Sequence, residues 1–292
     1  MLLDVILLYD CNLACDYCTI TSAMRTRALA PRDVVRALRD GRAEGYDRVS
    51  FTGGEPTLRG DLIGLVREAR DLGYADVKVQ SNGLVFAQAA NVTRLVDAGL
   101  TTVHVSIHTH DAKAYDALVR RDGAHALMVA GLRNLVASGV ALAADVIVKT
   151  DTAPRLVDAI AWLDELGVPA ADLWFVSLTD GNRANVASMP RLTEALPAMR
   201  AALHAGRARG LRMRSLHVPR CLLGADADFA FDPGAEPVKV VTPDATFELR
   251  QSKLTGQLHV AGCDGCRYRA GCPGIRADYL ARYGGAEFVA VP

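Results

Sequence analysis

Three cysteines near the start of the chain have a type and spacing that could support metal chemistry. Cys11, Cys15 and Cys18 form a C-x3-C-x2-C motif directly after a short apolar segment. Three thiolates on one loop can bind three irons of a [4Fe–4S] cube and leave the fourth iron open to a small chelating molecule. The alternatives are a zinc site or chance crowding, but zinc usually takes four ligands and the nearest histidine in the sequence is His104. The spacing therefore favours an iron–sulfur cluster.

The remaining four cysteines lie towards the end of the chain, at Cys221, Cys263, Cys266 and Cys272. The last three follow a C-x2-C-x5-C pattern. Four thiolates can saturate a [4Fe–4S] cluster, which leaves no iron for substrate and suits electron transfer. The C-x2-C spacing is equally suitable for a structural zinc ion with four cysteine ligands. The spacing alone therefore does not distinguish a [4Fe–4S] cluster from a zinc ion.

Composition and charge exclude several classes of protein. The 292 residues contain 33 Lys plus Arg and 33 Asp plus Glu, and this balance does not favour nucleic acid as a partner. The apolar N-terminal segment reaches Asp10 too early to span a membrane, and it lacks the features of a signal peptide. We therefore expect a cytoplasmic protein without a membrane partner. Seven cysteines in a reducing compartment favour metal or cluster binding over disulfides.

Short β-type segments alternate with helical patterns through most of the chain. The predicted strands are residues 3–9, 48–52, 76–81, 102–108, 142–149 and 172–178, and the predicted helices are residues 31–44, 62–72, 92–98, 125–138 and 156–166. A glycine follows each of these helices, namely Gly45, Gly73, Gly99, Gly139 and Gly167. Glycine after a helix followed by a buried strand is typical of repeated βα units and a parallel sheet.

This alternation predicts an α/β protein with a partial parallel (β/α)6 barrel, whose chemistry would lie at the carboxyl ends of the strands. An open, doubly wound sheet fits the alternation nearly as well. The alternation of strands and helices ends near Arg209. The following segment is richer in Pro and Gly, shows short β-like pieces such as residues 236–242 and 246–249, and contains four of the cysteines. We therefore predict a barrel domain over residues 1–209 and a small cysteine-rich extension over residues 210–292.

A second motif, Phe-Thr-Gly-Gly-Glu-Pro at residues 51–56, ends the second predicted strand. With the first cysteine motif, which has the aromatic Tyr17 before its last cysteine, it resembles the hallmarks of the radical S-adenosylmethionine (SAM) superfamily. The resemblance implies that Gly53, Gly54 and Glu55 hold the methionine amino group of the cofactor. Glycines let the backbone approach a ligand closely, and a carboxylate can accept hydrogen bonds from an ammonium group.

Weaker matches to the same superfamily follow along the predicted barrel. The cofactor contacts that they imply are Tyr17, Ser81, Asn82, Ser106 and Lys149. Lys149 would pair with a carboxylate of the cofactor or of the substrate. For each strand-end residue the alternative is a polar side chain that faces solvent. His108 and His110 could line the substrate cavity, but we expect them at the surface.

The C-terminal cysteines resemble the auxiliary-cluster extension of this superfamily, the SPASM or twitch domain. The full SPASM pattern needs more cysteines than the extension contains, so the shorter twitch type fits better. The resemblance implies a second [4Fe–4S] cluster with Cys221, Cys263, Cys266 and Cys272 as its ligands, and structural zinc is the competing interpretation.

The resemblance also implies an activity. The protein would receive an electron from a flavodoxin- or ferredoxin-type donor, cleave SAM to a 5′-deoxyadenosyl radical, and remove a hydrogen atom from its substrate. A second cluster could then accept an electron, which favours net oxidation. We expect a small-molecule substrate in natural-product or cofactor biosynthesis. The alternatives are cross-linking, oxidation or epimerisation of a ribosomally made peptide, and a zinc-stabilised binding module without enzymatic activity.

Overall fold

The computed structural model of the chain describes residues 1–232, 235–252 and 258–292. Within those residues, nine strands form one sheet. The strands are β1 (Leu2–Leu8), β2 (Arg48–Gly53), β3 (Asp76–Ser81), β4 (Thr102–Ile107), β5 (Ala141–Val148), β6 (Ala170–Phe175), β7 (Arg212–Leu216), β8 (Val238–Val241) and β9 (Thr246–Glu248). Their order is β7-β6-β5-β4-β3-β2-β1-β8-β9, and each neighbouring pair is parallel except β8 with β9.

Helices connect the parallel strands. They are α1 (Pro31–Ala43), α2 (Leu62–Asp71), α3 (Ala89–Asp97), α4 (Ala112–Val119), α5 (Ala124–Ser138), α6 (Leu156–Glu165), α7 (Leu192–Ala208), α8 (Arg220–Leu223) and α9 (Ala277–Tyr283). The predicted strands and helices agree with these bounds to within a few residues. The five glycines that follow predicted helices all have positive φ, the conformation that ends a helix with little strain in glycine.

The predicted α/β class and partial barrel are confirmed. In the described part of the chain, β7 and β9 are the two edges of the sheet, so the barrel is not closed. The three described strands that follow residue 209 belong to the same sheet, because β7 pairs with β6, β8 pairs with β1 and β9 pairs with β8. The division into domains at residue 209 remains a prediction, and the sheet continues past it on both sides.

The two faces of the sheet have different environments, and this difference positions the site. In β1, Leu3, Val5 and Leu7 are fully buried, whereas the alternating Asp4 and Ile6 line a cavity. Side chains alternate between the faces of a strand, so one face packs under the helices and the other faces the barrel interior. Among the described residues, no helix is long and apolar enough to span a membrane.

Candidate active site

A cavity of about 930 Å³ lies inside the barrel at the carboxyl ends of the strands. Its wall includes the three cysteines of the first motif and residues from the ends of five strands: Thr52, Gly53, Gln80, Ser81, Ser106, Trp174, Phe175 and Leu216. Parallel strands place their carboxyl ends at the same edge of a sheet, which is where barrel enzymes carry their functional groups. The structure therefore brings the first cysteine motif and the predicted strand-end residues around one space.

The loop that carries the first cysteine motif is fixed by contacts from several elements. The guanidinium of Arg25 donates to the carbonyl oxygens of Cys11 and Leu13, each at 2.9 Å. The amide of Asn82 donates to Oδ1 of Asn12 at 2.7 Å. The loop backbone also donates to the carboxyl end of α4, from Ala14 and Asp16. These contacts with Arg25, Asn82 and α4 fix the position of the loop.

The thiols of this loop suit a positively charged metal group. Burial, and then the neighbouring Cys18 and Cys11, raise the pKa of Cys15 to about 12. Burial also raises the pKa of Cys11. Thiolates so close together repel one another, and a bound cation offsets that repulsion. The donor set therefore fits the cluster that the spacing predicts.

The glycine pair at the end of β2 allows two segments of backbone to approach each other. A Cβ atom on Gly54 would lie 2.1 Å from the carbonyl oxygen of Asp10, and one on Gly53 would lie 2.2 Å from that of Leu8. Gly53 also has a φ of 139°. Both glycines line the cavity, so the turn places bare backbone beside the cysteine loop.

Glu55 is fully buried, and its carboxylate points into the protein. Oε1 accepts from both the backbone and the hydroxyl of Thr57 and from the hydroxyl of Ser81, and Oε2 accepts from the backbone of Asn82 at 2.7 Å. Burial raises the pKa of Glu55, and these hydrogen bonds oppose the rise. In this arrangement Glu55 positions Ser81 and Asn82. That Gly53, Gly54 and Glu55 hold the methionine amino group of the cofactor remains a prediction.

The half-buried Tyr17 of the cysteine loop contacts the buried His108, and both line the cavity. The hydroxyl of Tyr17 lies 3.3 Å from the ring nitrogens of His108. The expectation that His108 is a surface residue is wrong, because it is 3% exposed. Burial, followed by the charge of Lys149, lowers its pKa to about 3. His110 is partly exposed and does not line the cavity.

Lys149 is also buried, but its ammonium is paired within the protein. Nζ lies 2.8 Å from a carboxylate oxygen of Asp16 and 3.1 Å from one of Asp151. Asp16 lies between two of the cysteines, so the structure places Lys149 behind the cysteine loop. This differs from the predicted contact with a carboxylate of the cofactor or substrate, since Lys149 is not part of the cavity wall.

The sequence model that describes the radical SAM superfamily matches residues 5–163, more than half of the 292 residues. The chain belongs to the radical SAM superfamily. Membership implies a [4Fe–4S] cluster and SAM as cofactors, and it identifies the protein as a radical SAM enzyme.

Curated radical SAM relatives match about half of the chain. A "Probable GTP 3′,8-cyclase" of Methanopyrus kandleri is 34% identical over 161 residues, which are 53% of this chain and 51% of that protein. A protein of the same name from Sulfurisphaera tokodaii is 30% identical over 139 residues, which are 47% of this chain and 44% of that protein. The chain thus spans about half the length of these relatives.

Solved radical SAM structures share the fold over nearly the whole chain. Streptococcus suis SuiB bound to S-adenosylmethionine superposes with a TM-score of 0.71 and 15% identity, covering 99% of this chain and 76% of SuiB. Native anSMEcpe with bound AdoMet and Kp18Cys peptide gives a TM-score of 0.68 and 15% identity, covering 99% and 96%. At this level of identity the likeness shows the fold.

The other four cysteines of this radical SAM protein surround a second, small cavity, which Cys221, Cys263, Cys266 and Cys272 all line. Burial, and then the other three thiols, raise the pKa of Cys221 to about 11. Pro219, Gly274 and Ile275 line both this small cavity and the large one. Three residues therefore form a thin wall between the four cysteines and the barrel interior.

Sequence reasoning missed a polar layer inside the barrel. The carboxylate of Asp145 on β5 accepts hydrogen bonds from Gln80 at 2.8 Å and from Trp174 at 3.1 Å, and it lies 3.0 Å from Nδ1 of His104. His104, Asp145 and Asp172 could offer ligand atoms within 4.8 Å of one another, but both carboxylates are already engaged, Asp172 by Arg214. We assign no metal to this group.

Two further residues of the cavity wall, His217 and Arg276, were also missed. His217 follows β7, a strand that was not predicted, and Arg276 follows the last cysteine. The sequence signal that could have found His217 is weak, because only Arg212, Met213 and Arg214 alternate polar and apolar residues before it.

Proposed function

We propose that this chain is an oxidising radical SAM enzyme with two [4Fe–4S] clusters, acting on a small molecule in natural-product or cofactor biosynthesis. Cys11, Cys15 and Cys18 would hold the catalytic cluster, and the four C-terminal cysteines the auxiliary one. When bound, the catalytic cluster and SAM supply a 5′-deoxyadenosyl radical that removes a hydrogen atom from an unactivated carbon. A flavodoxin- or ferredoxin-type protein of the cytoplasm would be the electron donor.

The observation that carries this proposal is the large cavity between the two cysteine groups. The first motif forms part of its wall, and the four-cysteine cavity lies behind Pro219, Gly274 and Ile275. A substrate in this space would lie between a radical source and an electron acceptor. That arrangement supports removal of a hydrogen atom followed by loss of an electron, which is a net two-electron oxidation.

In this proposal the protein's own residues bind SAM and shield the substrate radical from water. Backbone of Gly53 and Gly54, with Ser81, Asn82 and Ser106, offers polar groups to SAM on the cysteine side of the cavity. Elsewhere the wall combines polar side chains such as Gln80, His217 and Arg276 with aromatic and aliphatic ones. The apolar residues include Trp174, Phe175, Leu216, Phe231 and Ile275. Such a wall excludes water from a reactive carbon radical and limits side reactions.

The test is a metal count and an assay for 5′-deoxyadenosine after anaerobic reconstitution. Two clusters predict about eight irons per chain, and dithionite should then release 5′-deoxyadenosine from SAM. About four irons with one zinc would make the C-terminal site structural and remove the proposed electron acceptor. Absence of 5′-deoxyadenosine would contradict the radical activity and favour the binding module.

A second candidate function is cyclisation of GTP, which the identity to "Probable GTP 3′,8-cyclase" proteins favours. The decisive assay adds GTP to the reconstituted protein with SAM and dithionite. Consumption of GTP in step with 5′-deoxyadenosine would support this candidate. Formation of 5′-deoxyadenosine with intact GTP would leave the oxidation of another substrate as the function.

A further inference from the structure

His217 lies directly after β7 and lines the large cavity. Its φ is 67°, in the left-handed region that non-glycine residues seldom adopt. The end of a barrel strand is the usual position of functional groups in this architecture, and strained backbone tends to persist where a side chain must point in a particular direction. The geometry of His217 therefore requires an explanation that the two cluster sites do not supply.

Arg276 determines which nitrogen of the His217 ring carries the proton. Nη1 of Arg276 lies 3.0 Å from Nδ1 of His217 and also donates to the carbonyl oxygen of Phe175. Arginine has five N–H donors and no acceptor, so Nδ1 must accept and the proton of the neutral ring is on Nε2. The other Arg276 donors bind the carbonyl of Val176 and the carboxylate of Asp278. All five donors of Arg276 are thus engaged.

The groups that face His217 keep the ring uncharged. Its charged neighbour is Arg276, which is itself paired with Asp278, and the ring of Trp174 packs edge-on against it with centroids 5.3 Å apart. Burial, and then the charge of Arg276, lower the pKa of His217 to about 3. Because Nδ1 faces Arg276, Nε2 on the opposite side of the ring is left for the cavity.

We propose that His217 is a substrate-binding residue that donates Nε2–H to an uncharged oxygen of the substrate, a hydroxyl or a carbonyl, and that Arg276 is its positioning residue. This rests on the proposed function, and it names the chemical class that the cavity takes. A neutral donor offers no charge to attract an anion, so it suits a neutral acceptor. Trp174, which lines the same cavity, suits a flat or apolar group beside that oxygen.

Trp174 gives a direct readout of the His217 ring. The chain has two tryptophans, so Trp162→Phe leaves Trp174 as the single indole in the full-length reconstituted protein. A protonated imidazole in contact with an indole quenches its emission. We expect constant emission from pH 8 to pH 5 in this variant. Adding Arg276→Gln with Asp278→Asn, which leaves no buried carboxylate unpaired, should produce quenching with a midpoint near the ordinary histidine pKa of about 6.5.

Binding is tested with two probes of similar shape, benzyl alcohol and toluene, followed by emission of Trp174 in the Trp162→Phe protein. His217→Gly suits a φ of 67° and removes the imidazole, so it should fold. Loss of one hydrogen bond should weaken benzyl alcohol about five- to tenfold relative to toluene in the glycine variant. Because any change in cavity shape affects both probes, their ratio isolates the hydrogen bond.

Three results would overturn the proposal: quenching near pH 6.5 with Arg276 in place, no saturable response to benzyl alcohol, or an unchanged ratio between the probes. None of these measurements uses SAM cleavage. Failure to form 5′-deoxyadenosine would therefore reject the proposed function without bearing on His217, and a failed probe experiment would leave the radical activity standing.

Discussion

The structure keeps the imidazole of His108 neutral, and its burial couples protein stability to pH. Its pKa is lowered to about 3, whereas an unfolded chain has the ordinary value of 6.5. Below pH 6.5 the unfolded state binds a proton that the folded state does not, so stability is complete above pH 6.5 and is lost as pH falls towards 3.

We expect the burial of His108 to lower the free energy of unfolding by about 2 kcal/mol between pH 7 and pH 5. Denaturant titrations at both pH values measure this loss. His108→Gln should remove the part of this loss in free energy of unfolding that comes from His108. An identical loss in wild type and variant would show that His108 is protonated in the folded protein.

Ser106 lines the cavity from β4 and remains a predicted cofactor contact. A single neutral hydrogen bond contributes about 1 kcal/mol net, so Ser106→Ala should weaken SAM about three- to tenfold. Equilibrium dialysis of the reconstituted protein measures this. Ser138→Ala, at the end of α5 with its hydroxyl on a backbone carbonyl, is the matched control. Equal affinity of both variants for SAM would show that Ser106 does not contact the cofactor.

At the scale of residues, the spacing of motif residues predicted which side chains lie at the site, whereas isolated residues did not. The first three cysteines and the Gly-Gly turn belong to motifs with defined spacing, and the structure gathers them at one cavity. His108 and Glu55 carry no pattern that states which way a side chain turns. Whether a polar residue faces a cavity or a buried partner depends on neighbours distant in sequence, such as Asn82 for Glu55.

At the scale of elements, Lys149, which follows β5, fixes the cysteine loop through an ion pair with Asp16. The Lys149 side chain is 3% exposed, and Asp16 is its partner in that loop. Asp16 is also held through its backbone carbonyl by the amide of Asn185 at 2.9 Å. A buried ion pair between two elements fixes their relative position, and removing one partner leaves an uncompensated charge.

We predict that Lys149→Met leaves Asp16 unpaired and loosens the loop, so that iron is lost several-fold faster to a chelator. The double variant Asp16→Asn with Lys149→Met removes both charges and should recover much of the retention. Lys239→Met breaks an exposed pair with Glu44 and is the control. If the single and double variants lose iron equally fast, Lys149 does not act through Asp16.

The elements themselves were largely predictable up to β6, because each buried strand and each helix-ending glycine leaves a local signal. β7 escaped prediction for a physical reason. Its residue Arg214 faces the barrel interior and pairs with Asp172 on β6, so the strand is polar on the face where a core strand is usually apolar. From its sequence alone, such a strand looks like an exposed segment, because the pairing of Arg214 with Asp172 is not visible there.

At the scale of the whole molecule, the C-terminal segment completes the barrel. β8 pairs with β1, and Arg276 bonds to the carbonyl oxygens that follow β6. These contacts join residues far apart in sequence, so no local pattern predicts them. They place the four C-terminal cysteines behind one wall of the cavity, which the sequence could suggest only as a resemblance.

The two cysteine groups should therefore be separable by mutation although they serve one cavity. Cys15→Ser and Cys266→Ser should each reduce iron from about eight to about four per chain. Cys15→Ser should also abolish 5′-deoxyadenosine formation, because Cys15 is a proposed ligand of the catalytic cluster that cleaves SAM. Cys266→Ser should retain reductive cleavage of SAM, since the wall of Pro219, Gly274 and Ile275 separates that site from the cavity. Iron analysis and product assays on both variants measure this difference, and loss of cleavage in both would mean that the C-terminal site supports the catalytic one rather than accepting electrons.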